Sequence, residues 1–176
     1  METQELKQII INRFREVRTI ASEFYGFDFS TIKVNIHWDL TGMVAGQFCA
    51  REDKDEKYYF RVNLAFAESN LEDYLSDTIP HEYAHFIVWA YLKDYKCNHG
   101  SNWQGIMWRC FNTEPKRCHT YDLSTVVNTY KWNCPVCGKE YKLTLKRHND
   151  LIQGRKNWSC NNDGKHQLTK LVQYGE

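Results

Sequence analysis

The segment IPHEYAHFIVWAYL, residues 79 to 92, sets two histidines and a glutamate inside one of the most apolar stretches of the chain. A core helix tolerates such groups when they are hydrogen-bonded, paired or bound to a metal. His81 and His85 are four apart, so on a helix their rings share a face, with Cβ atoms about 5–6 Å apart, and both can reach one Zn²⁺. Glu82 is turned from His81 by about 100° around the axis. That offset suits a carboxylate that takes a proton from water without ligating the ion, which is the mechanical content of H-E-x-x-H. Two satisfied core histidines and a partly exposed glutamate are the plain structural alternative for these three residues alone.

A catalytic zinc takes three protein ligands and keeps one position open. The third candidate is His99, in Asn98-His99-Gly100-Ser101, where glycine and a capping serine predict a tight turn before a helix from 102 to 112. Cys97 is its rival. With His99 as third ligand, the site is a metal-dependent hydrolase centre with Glu82 as general base. No oxyanion partner can be read from the sequence; Tyr121 is only a candidate.

HEYAH, then CNHGSNWQGIMW with its histidine fourteen residues beyond His85, then a cysteine-bearing C-terminal segment, together resemble the SprT-like family of zinc metalloproteases over nearly the whole chain. The resemblance implies an α+β architecture: a zincin-like protease domain, with a small antiparallel sheet packed on helices, followed by a C-terminal zinc ribbon. It matches His81, His85 and His99 to the zinc ligands and Glu82 to the catalytic glutamate. It also implies proteolysis of proteins bound or crosslinked to DNA. Ser101 stands where the family often has proline.

Cys134-Pro135-Val136-Cys137-Gly138 has the form of a zinc knuckle, a turn aiming two thiolates at one ion. Cys160 supplies a third ligand. The fourth lies between His166, which comes after the turn-rich Asn161-Asn162-Asp163-Gly164, and His148, the alternative. Two zinc ions are therefore expected, one catalytic and one structural. The remaining Cys49, Cys110 and Cys118 read as small buried hydrophobes.

The rest of the chain is read by period. Leu6, Ile9, Ile10, Phe14, Val17, Ile20, Ala21 and Phe24 step as one helix face, stopped by Gly26. Ile32 to Leu40 alternates, as does Tyr58 to Leu64, predicting antiparallel strands around a solvated REDKDE loop at 51–56. Ser69-x-x-Glu72 predicts the start of a helical stretch reaching about Asp94, in which Pro80 opens a second helix or kinks a continuous one.

Net charge is only +1, but residues 1 to 128 carry −4 and residues 129 to 176 carry +5. The expected boundary is there: a protease domain at 1–128 and a ribbon at 129–176. Lys142, Lys146, Arg147, Arg155 and Lys156 lie among Tyr130, Trp132, Tyr141 and Trp158, a mixture suited to phosphate contacts with base stacking, or else aromatics covering a thin core. Expected partners are protein substrates and DNA, single-stranded or junction-containing, with no membrane. METQELKQII lacks the pattern of a secretory signal, so a cytoplasmic protein is expected, nucleoid-associated or nuclear when on DNA.

Overall fold

The computed structural model describes residues 1–51, 54–96, 98–116, 129–156, 158–161 and 169–170. Helix α1 (Thr3–Tyr25) buries Leu6, Ile10, Phe14, Val17 and Ala21 and ends where Gly26 takes the left-handed conformation at φ 59°. Glycine adopts that conformation without a Cβ penalty, so the helix stops where the sequence predicts.

Three strands come next: β1 (Asn35–His37), β2 (Gly46–Ala50) and β3 (Tyr58–Val62), in the order β1-β3-β2. β2 pairs antiparallel with β3, but β1 pairs parallel with it. The expected wholly antiparallel sheet is thus a mixed one. The reason lies in β3, where Tyr58, Tyr59, Phe60 and Val62 are all buried. A strand apolar on both faces takes the centre of a sheet, displacing β1 from β2. Leu64 does not extend it; that residue opens α2 (Leu64–Ser69). Phe60 stacks on Phe14 of α1, at 4.6 Å between ring centroids, and on Tyr83, at 5.8 Å.

The helical stretch after Asn70 is continuous but not uniform. A single α turn, α3 (Leu71–Asp73), passes into a π turn at Tyr74–Thr78, then α4 (Ile79–Phe86), then a second π turn at Ile87–Tyr91. Ser69 closes α2 instead of capping α3. Pro80 has no N–H, and its ring crowds the preceding carbonyls. The wide turn before it relieves that crowding, and Arg13 of α1 donates from Nε to the Leu75 carbonyl at 3.0 Å. Lys93, at φ 57°, ends the stretch. Helix α5 (Ser101–Arg109) comes after it, with Gly100 at its N-cap.

The chain divides into two compact units, Met1–Asp122 and Leu123–Glu176. In the second, β4 (Thr129–Asn133) pairs antiparallel with β5 (Glu140–Thr144) and with β6 (Thr169–Lys170). Helix α6 (Leu145–Ile152) runs on from β5 and carries His148. Trp132, Cys134, Leu143 and Cys160 form the small core. Among the described residues no helix is long and apolar enough to cross a membrane.

Candidate metal centre

α4 presents His81 and His85 to the first turn of α5, and the loop between brings His99 to the same point. The three Nε2 atoms form a near-equilateral triangle: 3.2 Å from His85 to His81, 3.2 Å from His85 to His99 and 3.1 Å from His99 to His81. A neutral imidazole nitrogen either carries a proton or offers a lone pair, so three nitrogens in mutual contact cannot all be satisfied by hydrogen bonds among themselves. A cation at their centre resolves the conflict. Two imidazoles on a tetrahedral zinc at about 2.0–2.1 Å hold their nitrogens about 3.3–3.4 Å apart, close to the spacing seen. The residues present therefore fit the ion.

The support beneath them is specific. Trp103 of α5 is fully buried, with its ring centroid 4.7 Å from that of His81, 5.6 Å from His85 and 4.6 Å from His99. Its indole N–H donates to the His81 carbonyl at 3.3 Å. Gln104 donates from Nε2 to the His99 carbonyl at 2.9 Å, and Asn102 donates to the Asp94 carboxylate at 2.8 Å. The loop that carries His99 is thus tied at both ends. Burial, with His99 adding to it, pushes His85 down to about 4, so its ring is neutral near pH 7, the form that ligates a metal.

Glu82 lies beside the triangle, its Oε1 4.0 Å from His81 Nε2. Its Oε2 accepts the Phe48 backbone N–H of β2 at 2.6 Å. Burial raises its carboxyl to about 7, and the Phe48 N–H pulls the other way. This contact requires β2 to approach α4 closely, which Gly46 allows. A Cβ there would sit 2.8 Å from Thr78 Cγ2 and 3.1 Å from Glu82 Cγ. Thr78 is β-branched and buried, so it cannot rotate away cheaply. Gly46→Ala is expected to destabilise the protein by about 1–3 kcal/mol through overpacking, read as a lower urea midpoint at unchanged m-value. An unchanged midpoint would show that the helix and strand can separate freely.

The whole arrangement opens into a cleft of about 420 Å³ lined by Gly46, Gln47, Phe48, Glu82 and the three histidines, with Val88, Trp89, Tyr95, Lys96 and Asn98. The sequence alone does not single out Trp103 as the support of the three imidazoles or Gly46 as the point of close approach. The Phe48 N–H is a backbone group and leaves no mark in side-chain pattern. Cys97 and Tyr121 lie outside the described residues.

In the second unit, the sulfurs of Cys134, Cys137 and Cys160 lie within 4.8 Å of one another. Gly138, at φ 70°, lets the knuckle close, with its N–H donating to the Cys134 carbonyl at 3.0 Å. The Tyr141 hydroxyl donates to the Cys160 sulfur at 3.1 Å. His166 lies outside the described residues. His148 is not in this group: its Nδ1 accepts the Trp132 indole N–H at 3.1 Å and its ring stacks on Tyr130, 3.7 Å between centroids. The aromatics of this unit pack inward. Trp132 is buried, Tyr130, Tyr141 and Trp158 lie against the core, and Arg147 sits over the Trp158 ring at 4.6 Å.

The model of the SprT-like family matches residues 14–119. Protein SprT of Escherichia coli O139:H28 (strain E24377A / ETEC) is 27% identical over 166 residues, 94% of each chain. Protein SprT of Pseudomonas fluorescens (strain Pf-5) is 30% identical over 145 residues, 82% of this chain and 84% of its own. Protein SprT of Pseudomonas putida (strain F1) is 36% identical over 97 residues, 54% and 59% of the two chains. No solved structure matches the chain.

Proposed function

Since this chain belongs to the SprT-like family, we propose that it is a zinc-dependent endopeptidase with a zincin-like catalytic unit and a C-terminal zinc ribbon. The observation that carries this reading is the convergence of three imidazole nitrogens beside a buried carboxylate, in an open cleft. His81, His85 and His99 would hold the catalytic ion; Cys134, Cys137, Cys160 and His166 would hold the structural one. When bound, zinc supplies Lewis acidity and makes water a competent nucleophile near neutral pH.

Glu82 takes the proton from the attacking water and returns it to the leaving amine. Phe48 N–H fixes one carboxylate oxygen and leaves Oε1 turned toward the histidines. The substrate lies extended along β2, which is an edge strand. The pairs 45/63 and 51/57 are hydrogen-bonded across the hairpin, so by antiparallel alternation residues 46, 48 and 50 turn their backbone groups outward. The Phe48 N–H is held by Glu82, so a peptide adds there as a short strand through the backbone groups of residues 46 and 50 and the Phe48 carbonyl, recognised by backbone more than by sequence.

We further propose that proteins bound or crosslinked to DNA are the substrates, with DNA held by phosphate contacts from the exposed Lys142, Lys146, Arg155 and Lys156. The inward packing of the aromatics argues for charge over base stacking. Lys142→Glu with Lys146→Glu is expected to weaken single-stranded DNA binding and flatten its salt dependence, measured by anisotropy across a salt series. Binding that is unchanged would remove DNA from the proposal.

The test of the catalytic reading is metal quantification with casein cleavage on the full chain. The protein is expected to hold two zincs and His99→Ala one, with cleavage lost. Retention of both zincs by His99→Ala, or no zinc-dependent cleavage by the loaded wild type, would overturn it.

A further inference from the structure

Two aromatic side chains in the cleft take no part in the proposed proton transfers. Trp89 lies four residues beyond His85, in the π turn at Ile87–Tyr91, and Tyr95 lies on the loop leading to His99. Their rings meet edge to face, 4.6 Å between centroids and 62° between planes. Tyr95 is 50% exposed, and both residues line the cleft that holds the imidazoles and Glu82. The Trp89 indole nitrogen is buried, with no hydrogen-bond partner among the described residues.

A lone exposed tyrosine means little. Here, however, an aromatic pair stands one helical turn from a candidate metal ligand, with the buried Val88 also lining the cleft. β2 supplies Gly46, Gln47 and Phe48 to the same cleft. A peptide running along β2 would project its side chains alternately to the two sides, so one of those near the reacting bond reaches the aromatic pair.

We propose that Trp89 and Tyr95 form a side-chain subsite that selects a large apolar or aromatic residue next to the bond to be cleaved. The inference rests on the peptidase reading and adds to it a substrate class. Aromatic faces also attract cations, but Lys96 lines the same cleft, and its charge opposes a lysine or arginine there. Burial of a leucine- or phenylalanine-sized side chain against such a wall corresponds to about 10–100-fold over glycine.

The experiment uses the zinc-loaded full chain, Trp89→Ala and Tyr95→Ser, with peptides identical except for Phe, Leu, Lys, Asp or Gly at each of three positions on either side of the cleaved bond. The wild type is expected to favour Phe and Leu over Gly by about 10–100-fold in kcat/KM at one position, and the ratio is expected to fall toward one in both variants. A preference for Lys, no preference, or a Phe/Gly ratio that survives both substitutions would overturn the proposal. A second arm does not need turnover: the affinities of phenylalanine hydroxamate and glycine hydroxamate for the zinc-loaded protein, by calorimetry. If no peptide is cleaved, the peptidase reading fails and this arm decides the subsite. Tighter phenylalanine hydroxamate binding that is lost in both variants supports it; equal affinities sink it.

Discussion

Glu82→Gln is expected to leave two zincs on the protein and to lower kcat for peptide cleavage by about 10²–10⁴-fold, the range set by loss of a positioned general base. The substitution is close to isosteric, and the amide oxygen can still accept the Phe48 N–H that holds Oε2 at 2.6 Å. The strand, the helix and the three imidazoles are therefore expected to stay in place. What the amide cannot do is accept a proton beside the three imidazoles. Because the converging nitrogens come from His81, His85 and His99 and not from this carboxylate, metal content should not change. Steady-state kinetics with zinc analysis on the same preparations checks both halves. A variant that cleaves at the wild-type rate would show that residue 82 is structural and that catalysis lies elsewhere.

Cys160→Ser is expected to unfold the second unit while leaving the first intact. The core of that unit is thin: Trp132, Cys134, Leu143 and Cys160 are its buried members, and two of them are thiols of the candidate zinc group. A domain of this size rarely gains more than about 3–5 kcal/mol from its core. Structural zinc in comparable peptides contributes about 10–16 kcal/mol. Removing one of the three clustered sulfurs should thus outweigh everything else that holds β4, β5 and α6 together. The indole N–H resonance of Trp132, shifted by its bond to His148, should collapse to a random-coil position. Resonances from the Phe14 and Phe60 stack should persist. If Trp132 keeps its native shift, this unit stands without the metal.

Where one element is set by its own residues, the sequence was a sufficient guide. The apolar face of α1 and its stop at Gly26 depend only on local period and local φ. The spacing from His81 to His85 and on to His99 likewise reflects helix geometry and a tight turn. The misreadings arise where tertiary surroundings decide. Whether β1 pairs with β2 or β3 depends on which strand is buried on both faces. α6 hides from hydrophobic period because its inner face carries His148 and Asp150, while Leu145 and Ile152 are exposed. Pro80 could not declare itself breaker or passenger from sequence, since a carbonyl in the turn before it, that of Leu75, finds its donor 62 residues away, in Arg13 of α1.

The exposed margin of a sheet is also a template for a second copy of the same strand. β2 is five residues long, and at its midpoint the outward amide is already engaged by a carboxylate from the neighbouring helix. That interruption breaks the regular ladder which a second molecule's strand would need for fibril-like stacking. One backbone amide thus both anchors the Glu82 carboxylate and shortens the ladder that this edge strand can offer.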